Sequence, residues 1–417
     1  MTRTISSQRA NGISNKICIV RSLSTLLLAT FICLKAYPQG EEEVQYVRSS
    51  LCMMMLEHPT LGFNKEIKQV FNAMEIPQRF NKHDLGVRSV TIAAYEEDMS
   101  NQIANYVHQV QLGKRMVAKW FDRNKHTGTF DMETIKKRGL YNASVSEINR
   151  SAKDIRGVAI LEDAGENLIK NTYLVMNDFY YVDKTGVWHM VKDFGTAFVA
   201  ALSKGVLSNT MANLSEDINE KLKSFRVRAI TYLYRLNWDD NMANLFYDKY
   251  YVDSLNVDAK KVDAFKDDKT TFSMSYIGFV ENTSSTTTMT NKMTAGDVIT
   301  KVCTRALDKN IADLQHKFGE FRIKAPLISV TPIKAYVGMK EDITQDSRYE
   351  VLEQVINDKG ITSYKRVGVI KPVAGKIWDN RFMAVEEGAE NATLGYTTFE
   401  KVSGGDFYPG MLIREIK

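Results

Sequence analysis

Acidic residues are missing from the start of the chain: no Asp or Glu precedes Glu41, whereas Arg3, Arg9, Lys16, Arg21 and Lys35 do. Between Arg21 and Lys35 lies SLSTLLLATFICL. A basic stretch followed by an apolar run of about 12 residues has the form of a secretory signal and falls short of the ~20 residues that span a bilayer. The chain therefore reads as exported, with residues 1–39 as the signal and cleavage between Ala36 and Gln39. Two alternatives stand beside this. One is lipidation of Cys33, which the preceding TFI disfavours because it lacks small residues. The other is a retained membrane anchor.

Cysteine and proline are scarce. Of four cysteines, Cys18 and Cys33 fall in the signal, and Cys52 and Cys303 are too few and too far apart for a disulfide framework, so two free thiols are expected. Seven prolines leave long uninterrupted stretches for regular structure. A strong charge of either sign is missing too. Removing 1–39 takes away five bases and no acids, lowering 55 bases to 50 against 50 acids, and a nucleic-acid partner loses its compositional support. Local catalytic signatures are also absent: there is no HExxH, CxxC, P-loop, GxSxG or EF-hand pattern, and no cofactor or metal is expected.

The residues that are present describe a mixed body. SSLCMMMLEH before Pro59 reads as a strand, with the Met triplet as core filler. Residues 101–121 place Ile103, Tyr106, Val107, Val110, Val117, Trp120 and Phe121 on one helical stripe. DMETIKKRG predicts a helix capped by Asp131 and stopping at Gly139. A short helix around 164–169 and an extended segment 173–182 follow, the length of a βαβ or split unit. TAFVAALSKGVLSNTM reads as a buried helix, and an amphipathic helix carries Leu214, Ile218 and Leu222. Residues 225–251, with eight aromatics around WDDN, suggest a strand pair. TTFSMSYIGFVEN reads as a strand, ENTSSTTTMTNK (281–292) as a loop, and the span from Ala295 to Phe318 as a helix.

From about residue 326 the texture changes. IKAYVGM, SRYEVLEQV, YKRVGVIKP, AGKIWD, TTFEKV and GMLIREI are six candidate strands at close spacing, the pattern of a small barrel or sandwich. The expected fold class is α+β: a mixed α/β body over 40–325, with a division near 150 as an option, then an all-β barrel over 326–417.

The order GMKED, YEV, RVGVIK and FYPGM resembles the SH3-like barrels that end several bacterial envelope-assembly proteins. RGLYNASVSEI, LEDAGENLIKNTYLVMND, YKRVGVIKPVAGKIWDNRFMA and FYPGMLIREI resemble exported proteins of Bacteroidota that carry no assigned activity. The resemblance implies a Gram-negative envelope location, periplasmic or peripherally associated with the outer membrane, and transfers no catalytic residue.

Candidate chemistry is thin. None of the six His pairs with another at i, i+3 or i+4, and His83 beside Asp84 is the best single candidate, against a turn-capping role. Glu162, Asp163 and Glu166 sit where acids favour a helix start, Asp178 and Asp183 bracket FYYV, and WDDN (238–241) is a turn first and a calcium or sugar contact second. Trp378, Asp379, Asn380 and Arg381 read as a barrel corner, with Arg381 stacked on the Trp or paired with Asp379. Trp378 and Arg381 are the candidate partner contact, since such residues dominate interface hot spots. Two classes of function follow: a non-enzymatic envelope protein that binds other envelope proteins or self-associates, and an exported hydrolase using the LEDAGE and WDDN carboxylates on glycan or peptide.

Overall fold

The computed structural model describes residues 49–77, 79–92, 99–142, 168–182, 225–285, 295–356 and 362–416. Residues 1–39 expected as a signal, the apolar segment after Thr196, the helix expected around Ile218, Glu162, Asp163, Glu166, Asp183 and His189 lie outside them. Among the described residues no helix is long and apolar enough to cross a membrane.

A six-stranded sheet organises the body. Its centre is β1 (Ser49–Glu57) beside β4 (Thr172–Tyr181), paired in parallel. On the other side of β1, β2 (Phe80–Lys82) pairs with its amino half and β3 (Ser89–Thr91) with its carboxyl half, both parallel. Beyond β4 the sheet turns antiparallel through β5 (Arg226–Leu236) and β6 (Met274–Ser285). Every residue of β4 is buried, which is why TYLVMNDFYY is nearly continuously apolar: both sheet faces are covered. Strand alternation sends Met53 and Met55 to one core and Met54 to the other, so the Met triplet is core filler. Cys52 and Cys303 are free, buried and on opposite faces.

One face packs against α1 (Asn64–Ala73) and α7 (Ala295–Lys317), with Val298, Val302, Ala306 and Leu314 as the buried stripe of α7. The other packs against α2 (Ser100–Gln109), α3 (Leu112–Trp120), α4 (Glu133–Asn142), α5 (Asp240–Lys249) and α6 (Ala259–Asp267).

The single helix expected over 101–121 is two, broken where Gln111 takes a left-handed φ of 53°. Asp131 accepts from the Glu133 N–H as expected, but the helix runs through Gly139 to Asn142. Residues 225–251 are not a strand pair. Asp239 accepts from the Met242 N–H at 2.8 Å and starts α5, so the aromatics become core around Phe246. Residues 281–285 extend β6 instead of starting a loop.

A closed barrel follows, its neighbours all antiparallel. It is built from β7 (Ala325–Val330), β8 (Ile333–Ala335), β9 (Arg348–Ile356), β10 (Thr362–Pro372), β11 (Thr397–Gly404) and β12 (Leu412–Ile416), joined around as β10-β11-β8-β7-β12-β9. Closure leaves no open edge. Leu327, Tyr349, Val351, Ile370, Phe399 and Ile413 fill it. The fold is therefore α+β with a small carboxyl-terminal barrel. APLISV supplies a strand, whereas AGKIWD is a turn whose Trp378 makes one isolated bridge to Gly338. In β10 the pairing slips between Arg366 and Gly368, so Val367 and Ile370 face the barrel core and the simple alternation that would put Val367 and Val369 on one face is broken. Glycine is required there: a Cβ on Gly368 would lie 2.5 Å from the Phe407 ring.

Candidate functional site

The Trp378–Arg381 cluster opens the long connection from β10 to β11. Trp378 is half-buried, and its Nε1–H donates to the Ala392 carbonyl at 3.1 Å. Its own carbonyl accepts from Met339 N–H, and Asn380 Oδ1 accepts from Lys340 N–H, so the cluster fastens the short helical turn Met339–Glu341 to the barrel. Of the two roles weighed for Arg381, the carboxylate pair forms: Nε and Nη2 donate to Asp379 at 2.8 and 2.7 Å. These bonds outweigh burial and hold the Asp379 carboxyl below its usual range. The connection then leans on the body. Met383 packs into the α1/α7 core, while Lys301 and Arg305 of α7 clasp Glu387. Next to these anchors Phe382 and Val385 stay 39% and 61% exposed.

This clasp is one end of a charged joint between body and barrel. Along α7, Asp308 faces Lys340 at 3.3 Å, Lys309 bridges Asp313 and Asp342 at 2.9 and 2.8 Å, and His316 Nε2 lies 2.6 Å from Glu415 on β12. From the far side Arg79 reaches Glu341 at 3.0 Å and donates to the Tyr336 carbonyl. Polar side chains also tie the joint to the sheet centre. Thr231 Oγ1 donates to Asn177 Oδ1, Asn310 donates to Thr231, and Asn282 donates to both Asn310 and Asp313.

At the joint Arg79, His316, Arg322, Glu341, Tyr349 and Glu415 line a cleft of about 40 Å³. That volume admits a few waters at most. Burial pushes the Asp308 carboxyl up to about 6 against the pull of Lys340. The bond to Glu415 raises the His316 pKa despite partial burial, and burial raises that of Tyr349. Asp313, His316 and Asp342 come close enough to hold a cation. The Lys309 ammonium already sits between the two carboxylates and supplies that charge.

These joint residues escaped the sequence reading, which followed only the apolar stripe of α7. The signal was available: Lys301, Arg305, Lys309, Asp313 and His316 recur at three- to four-residue spacing, a second, charged face.

A second cluster lies at the carboxyl ends of the parallel strands. Tyr180 O–H donates to Asp178 Oδ2, so Oδ1 accepts from His58 Nε2–H at 2.6 Å, and the His58 ring stacks on Tyr180 with centroids 5.1 Å apart. Asp178 is fully buried and His58 nearly so. Residues 93–98 and 183–224 lie outside the described residues.

His83 is structural. It is fully buried, its Nε2–H donates to the Met116 carbonyl, and its Nδ1 accepts from Arg138, which itself lies over Trp120. Burial, reinforced by the Arg138 charge, depresses its pKa to about 3, fixing the neutral ring. The neighbouring Asp84 accepts from the Gly86 N–H and caps the turn. WDDN offers no free pair of carboxylates, because Asp239 caps α5 and Asp240 occupies its first turn. The structure thus joins Trp378 and Arg381 within one corner and leaves His83 and Asp239 in separate structural roles. No known protein-family model and no curated protein matches the chain.

Proposed function

We propose that this chain is an exported cell-envelope protein with a binding or assembly role, in which body and barrel form one unit that contacts another envelope protein or a second copy. The single observation that carries this reading is the β10–β11 connection. It is anchored by Met383 and Glu387, yet presents Arg381, Phe382 and Val385 to solvent. A contact pre-organised in this way loses little entropy on binding, and aromatic and Arg side chains supply the strongest interface contacts. The basic-then-apolar amino terminus supports export.

The test is fractionation of an epitope-tagged chain followed by crosslinking. The wild type gives an adduct in the envelope fraction, and Phe382→Ala combined with Val385→Ser loses it while keeping the thermal midpoint. An unchanged adduct in that variant, or none in the wild type, ends this reading. Trp378→Ala acts differently, lowering barrel stability, because Trp378 holds the corner that carries the contact.

An exported hydrolase is the second reading, favoured by the His58–Asp178 pair. It occupies the end of the sheet where open α/β proteins place their ligands. Glycan or peptide hydrolysis by the purified chain, abolished in His58→Ala, supports it; equal turnover in that variant removes it.

A further inference from the structure

We propose that the His316–Glu415 contact at the end of α7 is a proton-operated latch between body and barrel, closed while the imidazole carries its second proton. His316 lies in the last turn of a 23-residue helix, where the carbonyl ends of the macrodipole favour a cation. Its Nε2 is 2.6 Å from Glu415 Oε2 of β12, and its Nδ1 faces Asp342 at 3.8 Å. Both ring nitrogens thus look at carboxylates, an arrangement that only the imidazolium satisfies with two donors. The side chain is 35% exposed, so protons reach it from solvent.

The groups around it come from every neighbouring element. Asp313 and Lys309 lie on its own helix, Arg322 follows that helix, and Glu341 and Asp342 come from the barrel's helical turn. Tyr349 comes from β9, Glu415 from β12, and Arg79 from the segment before β2. Lys309 is held by Asp313 and Asp342, and Arg79 by Glu341, so the Glu415 carboxylate is left to His316 and the joint at β12 depends on its proton.

His316 and Asp308 act in the same direction. The His316 pKa is raised above 6.5 on docking, so its contribution is complete below the free value and is lost as pH rises through the docked value. Asp308 is raised from 3.8 to about 6, so docking also takes up a proton there and weakens as pH climbs between those values. Glu387 opposes them. Burial works to raise its pKa, but the hydrogen bonds from Lys301 and Arg305 outweigh it, so its contribution falls away as pH drops through the lowered value. The joint is therefore tightest at mildly acidic pH and loosens towards alkaline pH.

Hydrogen–deuterium exchange on the full chain tests this, with rates corrected for intrinsic pH dependence. Peptides from the carboxyl half of α7 and from β12 lose about threefold protection between about pH 6 and pH 8, the size of a half-exposed ion pair, while β4 peptides do not change. His316→Gln, which keeps a donor but takes no second proton, flattens the profile. Glu415→Gln moves the His316 ring titration, read by NMR, to lower pH. A flat wild-type profile at α7 and β12, a profile surviving in His316→Gln, or an unmoved ring titration in Glu415→Gln overturns the proposal. The wild-type profile decides the matter even if a variant does not fold.

Discussion

Asp178→Ala offers the most direct measure of what the buried pair beneath the carboxyl ends of β1 and β4 does for the fold. The substitution removes the acceptor of His58 Nε2–H at 2.6 Å and the acceptor of the Tyr180 hydroxyl, with Asp178 fully buried and His58 only 8% exposed. A buried hydrogen bond to a charged group contributes about 1.5–3 kcal/mol, and a donor left without an acceptor costs about 1–3 kcal/mol. The expected loss is therefore about 3–5 kcal/mol. Asp178→Asn keeps the volume and one acceptor and loses about 1–2 kcal/mol. Calorimetry on the two single variants, His58→Ala and the double variant gives the cycle. The two residues touch, so the double variant falls short of additivity by at least about 1 kcal/mol. A change within about 0.5 kcal/mol for Asp178→Ala, or strict additivity, refutes the structural role. A rise in stability refutes it in a more informative way, because sites built for chemistry carry strain that their removal relieves.

Two further outcomes follow from other parts of the fold. A Cβ on Gly338 would lie 2.4 Å from the Trp378 carbonyl oxygen and 2.5 Å from Asn380 Oδ1, so Gly338→Ala pushes the corner off the helical turn that Arg79 grips through Glu341. The expected cost is about 1–3 kcal/mol, read as a lowered thermal midpoint, and an unchanged midpoint contradicts the packing. Burial raises the Cys52 thiol to about 12 and the Cys303 thiol higher still, so neither reacts with an aromatic disulfide reagent at mildly alkaline pH until the protein unfolds. Rapid labelling of either thiol in the folded chain contradicts their burial.

Much of the architecture was legible in the residues because burial imposes a period. β4 is covered on both faces and reads as an apolar run interrupted by Asn177 and Asp178, and α7 carries Val298, Val302, Ala306 and Leu314 at helical spacing. The carboxyl-terminal barrel announced itself through short alternating runs. The misreadings share one cause, local signals overridden by contacts distant in sequence. Gln111 breaks a helix whose apolar stripe is continuous. Aromatics that suit a strand instead line α5, because Phe121, Phe130 and Phe265 are waiting around Phe246. In β10 the bulge at Gly368 shifts which residues face inward, at a point where Ser403 of the neighbouring β11 and Phe407 just after it leave no room for a Cβ.

The joint was the least legible part because most of its pairs link residues far apart in the chain, and opposite charges on a helix face look the same whether they meet solvent or another part of the fold. The physics of that joint differs from the two cores it connects. An apolar seam would weld body to barrel with no dependence on pH or salt, whereas buried ion pairs roughly break even against apolar replacements in stability. What charges add is a fixed register and a response to protons. Lys301 and Arg305 meet Glu387, Lys340 meets Asp308 and Lys309 meets Asp342, and together these pairs hold α7 in one register against the barrel. The same contacts set the direction in which Phe382 and Val385 point. The register of the joint and the presentation of the exposed contact are thus one property. Under the binding role proposed above, a substitution that loosens Glu387 is expected to weaken the crosslinked adduct even though Phe382 and Val385 are unchanged.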